Sequence, residues 1–354
     1  MKRLVRKTML WAHRWLGLIV GFHFVLLGLS GSYLVYADEI ESVFKRDLKI
    51  ASQKGDSVPL DKIVESAKNG LETNIDPMRI LIGDREARYN HTVMFNIPKG
   101  EEKRRFVRAY VDAATFEFKG ADVYKETLTG FLFVFHHDLF SGPTGRTITA
   151  VTGVLSLLIL LGGLYLWWPH KGKSWKRALR YNRQRSFLGL NLELHKVIGF
   201  YSLVLMIIVT FSGIYVARSD WFFPRKTPTA AAPGREAGVP LETLSFAHVQ
   251  PGLNALFAGD EVEQLRIDTK TGLLQARARN DAFGISGWEW KLTTGELLAT
   301  KYKKDRNFEQ KFGDLQRSWH FGNFWGELGR FLIFVSGLLP LFFWVTGFYV
   351  WRKK

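Results

Sequence analysis

Four stretches of this chain are long enough to cross a bilayer and carry no Asp, Glu, Lys or Arg: Trp15 to Ala37, Thr147 to Pro169, Val197 to Ala217 and Phe331 to Trp351. A hydrocarbon core takes about 20 apolar residues in a helix. A helix in a soluble core needs only one apolar stripe, whereas these are apolar on every side, the pattern that lipid contact requires. The formal net charge of +16 then reads as a signal of topology. Lys2, Arg3, Arg6 and Lys7 precede the first stretch. Lys171, Lys173, Lys176, Arg177, Arg180, Arg183 and Arg185 lie between the second and third, and Arg352, Lys353 and Lys354 follow the fourth. Basic flanks are held on the cytoplasmic side of a membrane, so both termini are expected inside and the two long segments outside. Nucleic acid is not an expected partner, because the basic residues follow membrane ends and form no stripe with stacking aromatics.

The expected order is 1–37, amino terminus and first span; 38–146, first external domain and interfacial segment; 147–169, second span; 170–193, basic cytoplasmic loop. It continues with 194–217, third span; 218–330, second external domain and interfacial segment; 331–354, fourth span and carboxyl terminus. The first apolar run lacks a small-residue cleavage pattern and is expected to stay as a signal anchor. Both external segments read as α+β. The first has helical periodicity over Leu60 to Leu71, then strand candidates Met78 to Ile82, His91 to Ile97, Phe106 to Asp112 and Phe116 to Phe118. The second has a helix near Leu241 to Asn254, then strands Gln264 to Asp268, Gly272 to Arg277, Trp288 to Leu292 and Glu296 to Thr300. Asp268 to Gly272 and Thr293 to Gly295 supply turns, and Pro224 to Pro240 reads as a linker. Two small external domains are expected.

The two halves of the chain match. His13, Arg14, Gly17, Ser30 and Gly31 of the first span align without a gap with His195, Lys196, Gly199, Ser212 and Gly213 of the third. His136, Gly145, Arg146, Gly153, Gly163, Tyr165 and Trp167 align likewise with His320, Gly329, Arg330, Gly337, Gly347, Tyr349 and Trp351. Each half is helix, external segment, helix, and two halves in one orientation imply a pseudo-twofold four-helix bundle. The matched glycines and serines are assigned to close helix packing.

Four of the nine histidines fall on matched positions, His13 and His195 at one membrane face and His136 and His320 at the other. Imidazoles facing each other across a helical bundle are what a noncovalently bound haem needs, one axial nitrogen on each side of the iron. Zinc is the competing ion, but it asks for four protein ligands, or three with water, and no Asp, Glu or Cys lies within the spans. The chain has no cysteine, which excludes disulfides, thiolate-held iron–sulfur clusters and haem attached through C-x-x-C-H. Arg14, Lys196, Arg146 and Arg330 are candidate partners for haem propionates. His137 is the alternative outer ligand to His136. His23 has no counterpart, since Leu205 occupies its place, and is open to a role at a haem edge, a quinone or the bundle lining. His91, His170 and His248 read as ordinary surface or domain residues.

The chain resembles the PepSY-associated transmembrane proteins, which include inner-membrane ferric-siderophore reductases of the ferrioxamine type. The likeness rests on H-R-W-L-G from His13, S-G at Ser30-Gly31, Asp38-Glu39, the run His136, Leu139, Gly145, Arg146, the exit Leu166 to Pro169, and L-H-K-x-x-G from Leu194. The turn Lys291 to Glu296 is similar to the strand-turn-strand of PepSY domains. The chain departs from the pattern at Asp112-Ala113-Ala114-Thr115-Phe116, where a glycine turn is usual, and at Phe321-Gly322-Asn323 after His320. The resemblance implies a bacterial inner-membrane protein with two PepSY-like periplasmic domains and two b-type haems. Electrons would pass from an unidentified cytoplasmic donor to a periplasmic ferric siderophore, with Trp288, Trp290, Trp319 and Trp325 as the place to look for the chelate. A dihaem cytochrome serving another periplasmic acceptor or a quinone, and a non-enzymatic PepSY regulator or inhibitor, are the alternatives.

Overall fold

The structure, a computed structural model, describes residues 2–53, 55, 57–83, 89–99, 103–169, 186–223, 244–259, 262–278, 287–301 and 306–353. The linker at 224–240, the start of the expected helix at 241–243, His170 and the basic residues from Lys171 to Arg185 lie outside the described residues. In chain order the first elements are α1 (Lys2–Val35), α2 (Ala37–Phe44), α3 (Arg46–Lys49), α4 (Leu60–Gly70), β1 (Arg79–Leu81), β2 (His91–Lys99), β3 (Lys103–Val111) and β4 (Phe118–Val123). Then follow α5 (Leu128–Asp138), α6 (Gly142–Trp167), α7 (Phe187–Ala217), α8 (Gln250–Ala258), β5 (Val262–Asp268), β6 (Leu273–Ala278), β7 (Gly287–Lys291), β8 (Leu297–Lys301), α9 (Phe308–Phe321) and α10 (Gly326–Arg352). Two compact units result, one of Met1–Tyr36, Leu132–Pro224 and Phe312–Lys354, the other of Ala37–Phe131 and Arg225–Lys311.

The first unit is a helical bundle whose four long helices, α1, α6, α7 and α10, are long and apolar enough to cross a membrane. Both α1 and α7 pack against α6 and against α10, so α1 and α7 stand at opposite corners. Small residues permit this closeness. A Cβ on Gly28 would strike the carbonyl of Gly337, and Ser32 Oγ donates to Phe334 O at 2.7 Å across the same α1–α10 seam. The interfacial segments expected before α6 and α10 cluster with the bundle as the ends of two separate helices, α5 and α9. Each helix reverses abruptly into the next span. Leu139 and Phe140 take φ of 51° and 60° in the first reversal, and Gly322 and Gly326 take 80° and 56° in the second. The matched Gly145 and Gly329 make these reversals possible, since a Cβ on either would strike the carbonyl of Asp138 or Gly322.

The second unit holds one eight-stranded antiparallel sheet in the order β4-β3-β2-β1-β5-β6-β7-β8. The expectation of two external domains is therefore corrected. β1 pairs with β5 through Arg79↔Arg266, Ile80↔Leu265 and Leu81↔Gln264, fusing both halves into one sheet. One core serves both. Leu60, Ile63, Val64 and Ala67 of α4 and Leu253 and Phe257 of α8 cluster with Ile80, Val93, Leu265 and Leu274 of the sheet, and a larger domain buries a larger fraction of its surface than either half could alone. Side chains also tie the two helices: Leu60 N donates to Gln250 Oε1 at 3.0 Å and Phe246 N to Asp61 Oδ1 at 2.9 Å. The strand expected at Phe116 to Phe118 instead runs from Phe118 to Val123, because residues 112–116 form the turn. Phe116 adopts φ of 61° where the matched turn has Gly295 at 73°. Asp112 holds that turn in glycine's absence, its Oδ1 accepting from Ala114 N and Thr115 N at 2.9 and 3.0 Å.

Candidate metal centres

The opposite corners of the bundle bring His13 of α1 and His195 of α7 together, with ring centroids 6.4 Å apart and the ring planes at 87°. At the other level of the bundle α5 and α9 bring His136 and His320 together at 6.0 Å. These spacings have a chemical meaning. A metal–imidazole bond is about 2.0 Å and the nitrogen lies about 1.1 Å from the ring centre, so two rings on opposite sides of one ion place their centroids about 6.2 Å apart.

Hydrogen bonds fix which nitrogen of each ring is available. His13 Nδ1 meets Ile159 O at 3.0 Å, His136 Nδ1 meets Leu27 O at 2.9 Å, and His320 Nδ1 meets Val209 O at 3.3 Å. A carbonyl can only accept, so Nδ1 carries the proton and Nε2 keeps its lone pair. His195 Nδ1 meets Thr346 Oγ1 at 2.7 Å. That hydroxyl donates to Phe342 O and Phe343 O at 2.8 and 3.1 Å, so its oxygen accepts from the imidazole. Ser30 Oγ, 3.2 Å from His136 Nδ1, is committed in the same way to Leu26 O and Leu27 O. All four rings thus offer Nε2 as a ligand, oriented by a partner behind it, as metal-bound histidines characteristically are.

Glycines make room for the rings. A Cβ on Gly31 or Gly213 would lie 2.9 or 3.0 Å from Cε1 of His136 or His320, and one on Gly163 would lie 3.1 Å from Cε1 of His13. The packing role read from the sequence missed this. Their regular spacing from the matched histidines was the signal that could have revealed it.

A cavity of about 250 Å³ adjoins the inner pair, walled by apolar residues such as Phe24, Leu160, Trp167, Phe343 and Trp344, and bordered by Arg14 and Lys196. Ser156 Oγ, buried and without a hydrogen bond, belongs to its wall. An apolar, aromatic cavity with two Nε2 ligands and two cations suits a porphyrin with its carboxylates. Among the described residues no group of three or more His, Cys, Asp or Glu gathers, and a pair alone supplies half of a closed tetrahedral zinc site.

Other candidates stand elsewhere. His137 stacks on Phe133 at 5.4 Å and 8°, with Nδ1 3.5 Å from Asp138 Oδ2, so it is His136 that meets His320. His23 meets Thr152 Oγ1 at 2.9 Å, between the two levels along α1. Arg330 donates to Glu327 and to Val35 O, each at 2.8 Å, and lies over the Tyr36 ring. His248 is exposed, and His91 is buried with Nδ1 accepting from Gly83 N at 3.1 Å. Trp290 is buried in the sheet core beside Trp288, while Trp319 and Trp325 belong to the helical unit.

Four apolar helices with a separate antiparallel sheet define a multi-pass membrane protein. The PepSY-associated TM region matches residues 10–354, and the chain belongs to that family. A comparison with curated proteins finds no match.

Proposed function

We propose that this protein is a ferric-siderophore reductase of the bacterial inner membrane, passing electrons across the bilayer through two noncovalently held b-type haems. The carrying observation is the arrangement of the imidazoles: two pairs spaced as two rings that share one metal ion, every Nδ1 engaged and every Nε2 left with its lone pair. Haem iron between two neutral imidazoles supplies one-electron ferric–ferrous chemistry when bound.

The chain's own residues do the rest. His13 with His195, and His136 with His320, would hold the two haem irons through Nε2. Leu27 O, Ile159 O, Val209 O and Thr346 hold the rings in the ligating tautomer. Arg14 and Lys196 border the inner cavity, where anionic propionates need cations. From His13 to Ser30, which touches His136, α1 rises about 25 Å, so the two levels lie toward opposite membrane faces. The basic flanks orient the inner pair to the cytoplasm and the sheet to the periplasm. The recurrence of partners at matched positions, Leu27 and Ser30 for His136 and Val209 and Ser212 for His320, supports two duplicated halves about a pseudo-twofold axis. A tightly held ferric ion becomes labile once reduced, so one electron releases it and no acid or base is required of the protein.

The test is a transfer assay on protein in lipid nanodiscs, reduced with a stoichiometric reductant and mixed anaerobically with a ferric siderophore. Reoxidation of the haem band in step with capture of Fe2+ by a ferrous chelator is expected. Reoxidation no faster than in buffer without the chelate contradicts the reading.

A further inference from the structure

One row of side chains crosses the whole sheet on the face opposite Ile80, Val93 and Leu265. By strand register it runs Asp122, Arg108, Met94, Arg79, Arg266, Gln275, Glu289, Ala299. Toward its ends the row satisfies itself. Arg108 donates to Asp122 twice at 2.8 Å and to Glu41 at 3.2 and 3.3 Å, and Gln275 Nε2 donates to Glu289 Oε2 at 2.9 Å. Its centre does not. Arg79 lies directly opposite Arg266, and Arg277, in register with Gln264, shares their face.

None of these three arginines makes a salt bridge or a side-chain hydrogen bond among the described residues, and the Nε of Arg79 is buried and unbonded. Like charges set directly opposite in a sheet oppose its pairing, and a buried donor with no acceptor adds a desolvation cost. Burial, together with the charges of Arg266 and Arg277, holds the Arg79 guanidinium below its ordinary value. All of this falls on the β1–β5 pairing, the three-residue seam that makes one sheet of two halves. Arg79 is half-buried while Arg266 and Arg277 are exposed, so this face of the seam is open to an anion from solution.

We propose that Arg79, Arg266 and Arg277 form a binding site for a small polyanion carrying two or three carboxylate or phosphate groups. Guanidinium forks pair with such oxygens two at a time, and three of them match a tricarboxylate better than a single-charged ion. By bridging β1, β5 and β6 the ligand clamps the seam. The same oxyanion chemistry is offered by a soluble polycarboxylate and by an anionic lipid headgroup. The site is independent of haem.

The test is calorimetric titration of citrate into the full-length protein in a neutral detergent, at fixed ionic strength with chloride as control, for wild type, Arg79→Gln and Arg266→Gln/Arg277→Gln. Saturable binding to wild type is expected, weakened at least tenfold by Arg79→Gln and abolished in the double variant. Saturating citrate should raise the melting midpoint by about 4 °C. The double variant without ligand should melt no lower than wild type, because it removes a repulsion, which separates loss of binding from loss of fold. Co-sedimentation with phosphatidylglycerol vesicles but not phosphatidylcholine ones, in the absence of citrate binding, assigns the site to a lipid headgroup. No arginine-dependent response to citrate, inorganic phosphate or phosphatidylglycerol overturns the proposal, as does wild-type affinity in the double variant.

Discussion

The two histidine pairs are built to the same spacing by different means. In the outer pair both rings sit at the ends of short helices and use matched partners: Leu27 O and Ser30 Oγ for His136, Val209 O and Ser212 Oγ for His320. In the inner pair both rings belong to long spans, and their partners differ. His13 bonds the carbonyl of Ile159, whose matched residue is Phe343, whereas His195 bonds the hydroxyl of Thr346, whose matched residue is Gly162. Thr346 itself donates to Phe343 O. The hydroxyl is thus inserted between imidazole and carbonyl in one half, and the glycine leaves direct contact in the other. The difference teaches that the matched halves conserve the position of the ring while the group that tunes it is free to diverge. A histidine with a stronger acceptor behind it is a more basic ligand, so the inner site is where the two halves are no longer equivalent.

That contrast can be broken outright by filling the space beside the outer rings. Gly31→Leu or Gly213→Leu puts a side chain where Cε1 of His136 or His320 lies, and each is expected to remove one haem per chain while the inner one persists, as read by pyridine haemochrome. Loss of both, or of neither, contradicts the division into two sites. Thr346→Ala deletes the inserted hydroxyl; the expected outcome is a 10- to 100-fold looser inner haem, or comparably lower activity, the outer site being unchanged.

Acid separates the neutral partners of the bundle from the charged ones of the sheet. Burial raises the carboxyls of Glu41 and Asp122, but bonds and charge from Arg108 outweigh it and leave both below their ordinary values. Burial raises Asp112 too, yet the amides of Ser52, Thr115 and Ala114 bring it down to about 2. Depressed carboxyls stabilise the fold above their unfolded values and lose that contribution as pH falls through the folded ones. The sheet is expected to weaken from about pH 4.5 toward pH 2, followed through the emission of Trp288 and Trp290. Emission and sheet content unchanged down to pH 2 would count against these contacts. The smallest effect is expected from Ser30→Ala and Ser212→Ala, less than about threefold in haem affinity, since Leu27 O and Val209 O still accept from Nδ1.

Much of this was legible in the sequence. The four spans follow from uncharged apolar runs, and the pairing of His13 with His195 and His136 with His320 follows from their matched positions. Lost to sequence were features set by contact. The helices α5 and α9 are short and end in left-handed residues such as Leu139 and Phe140, which side-chain periodicity does not reveal. The β1–β5 seam joins residues far apart in the chain through three pairs and has no local signature. Phe116 occupies a glycine conformation because Asp112 pins the turn, so a rule based on glycine places the strand too early.

The most direct test of the central claim is a dithionite-reduced minus oxidised visible spectrum of purified protein, with haem counted per chain, for wild type, His13→Ala and His320→Ala. Two b-type haems in wild type and one in each variant are predicted. A colourless wild-type protein from haem-replete cells contradicts the account.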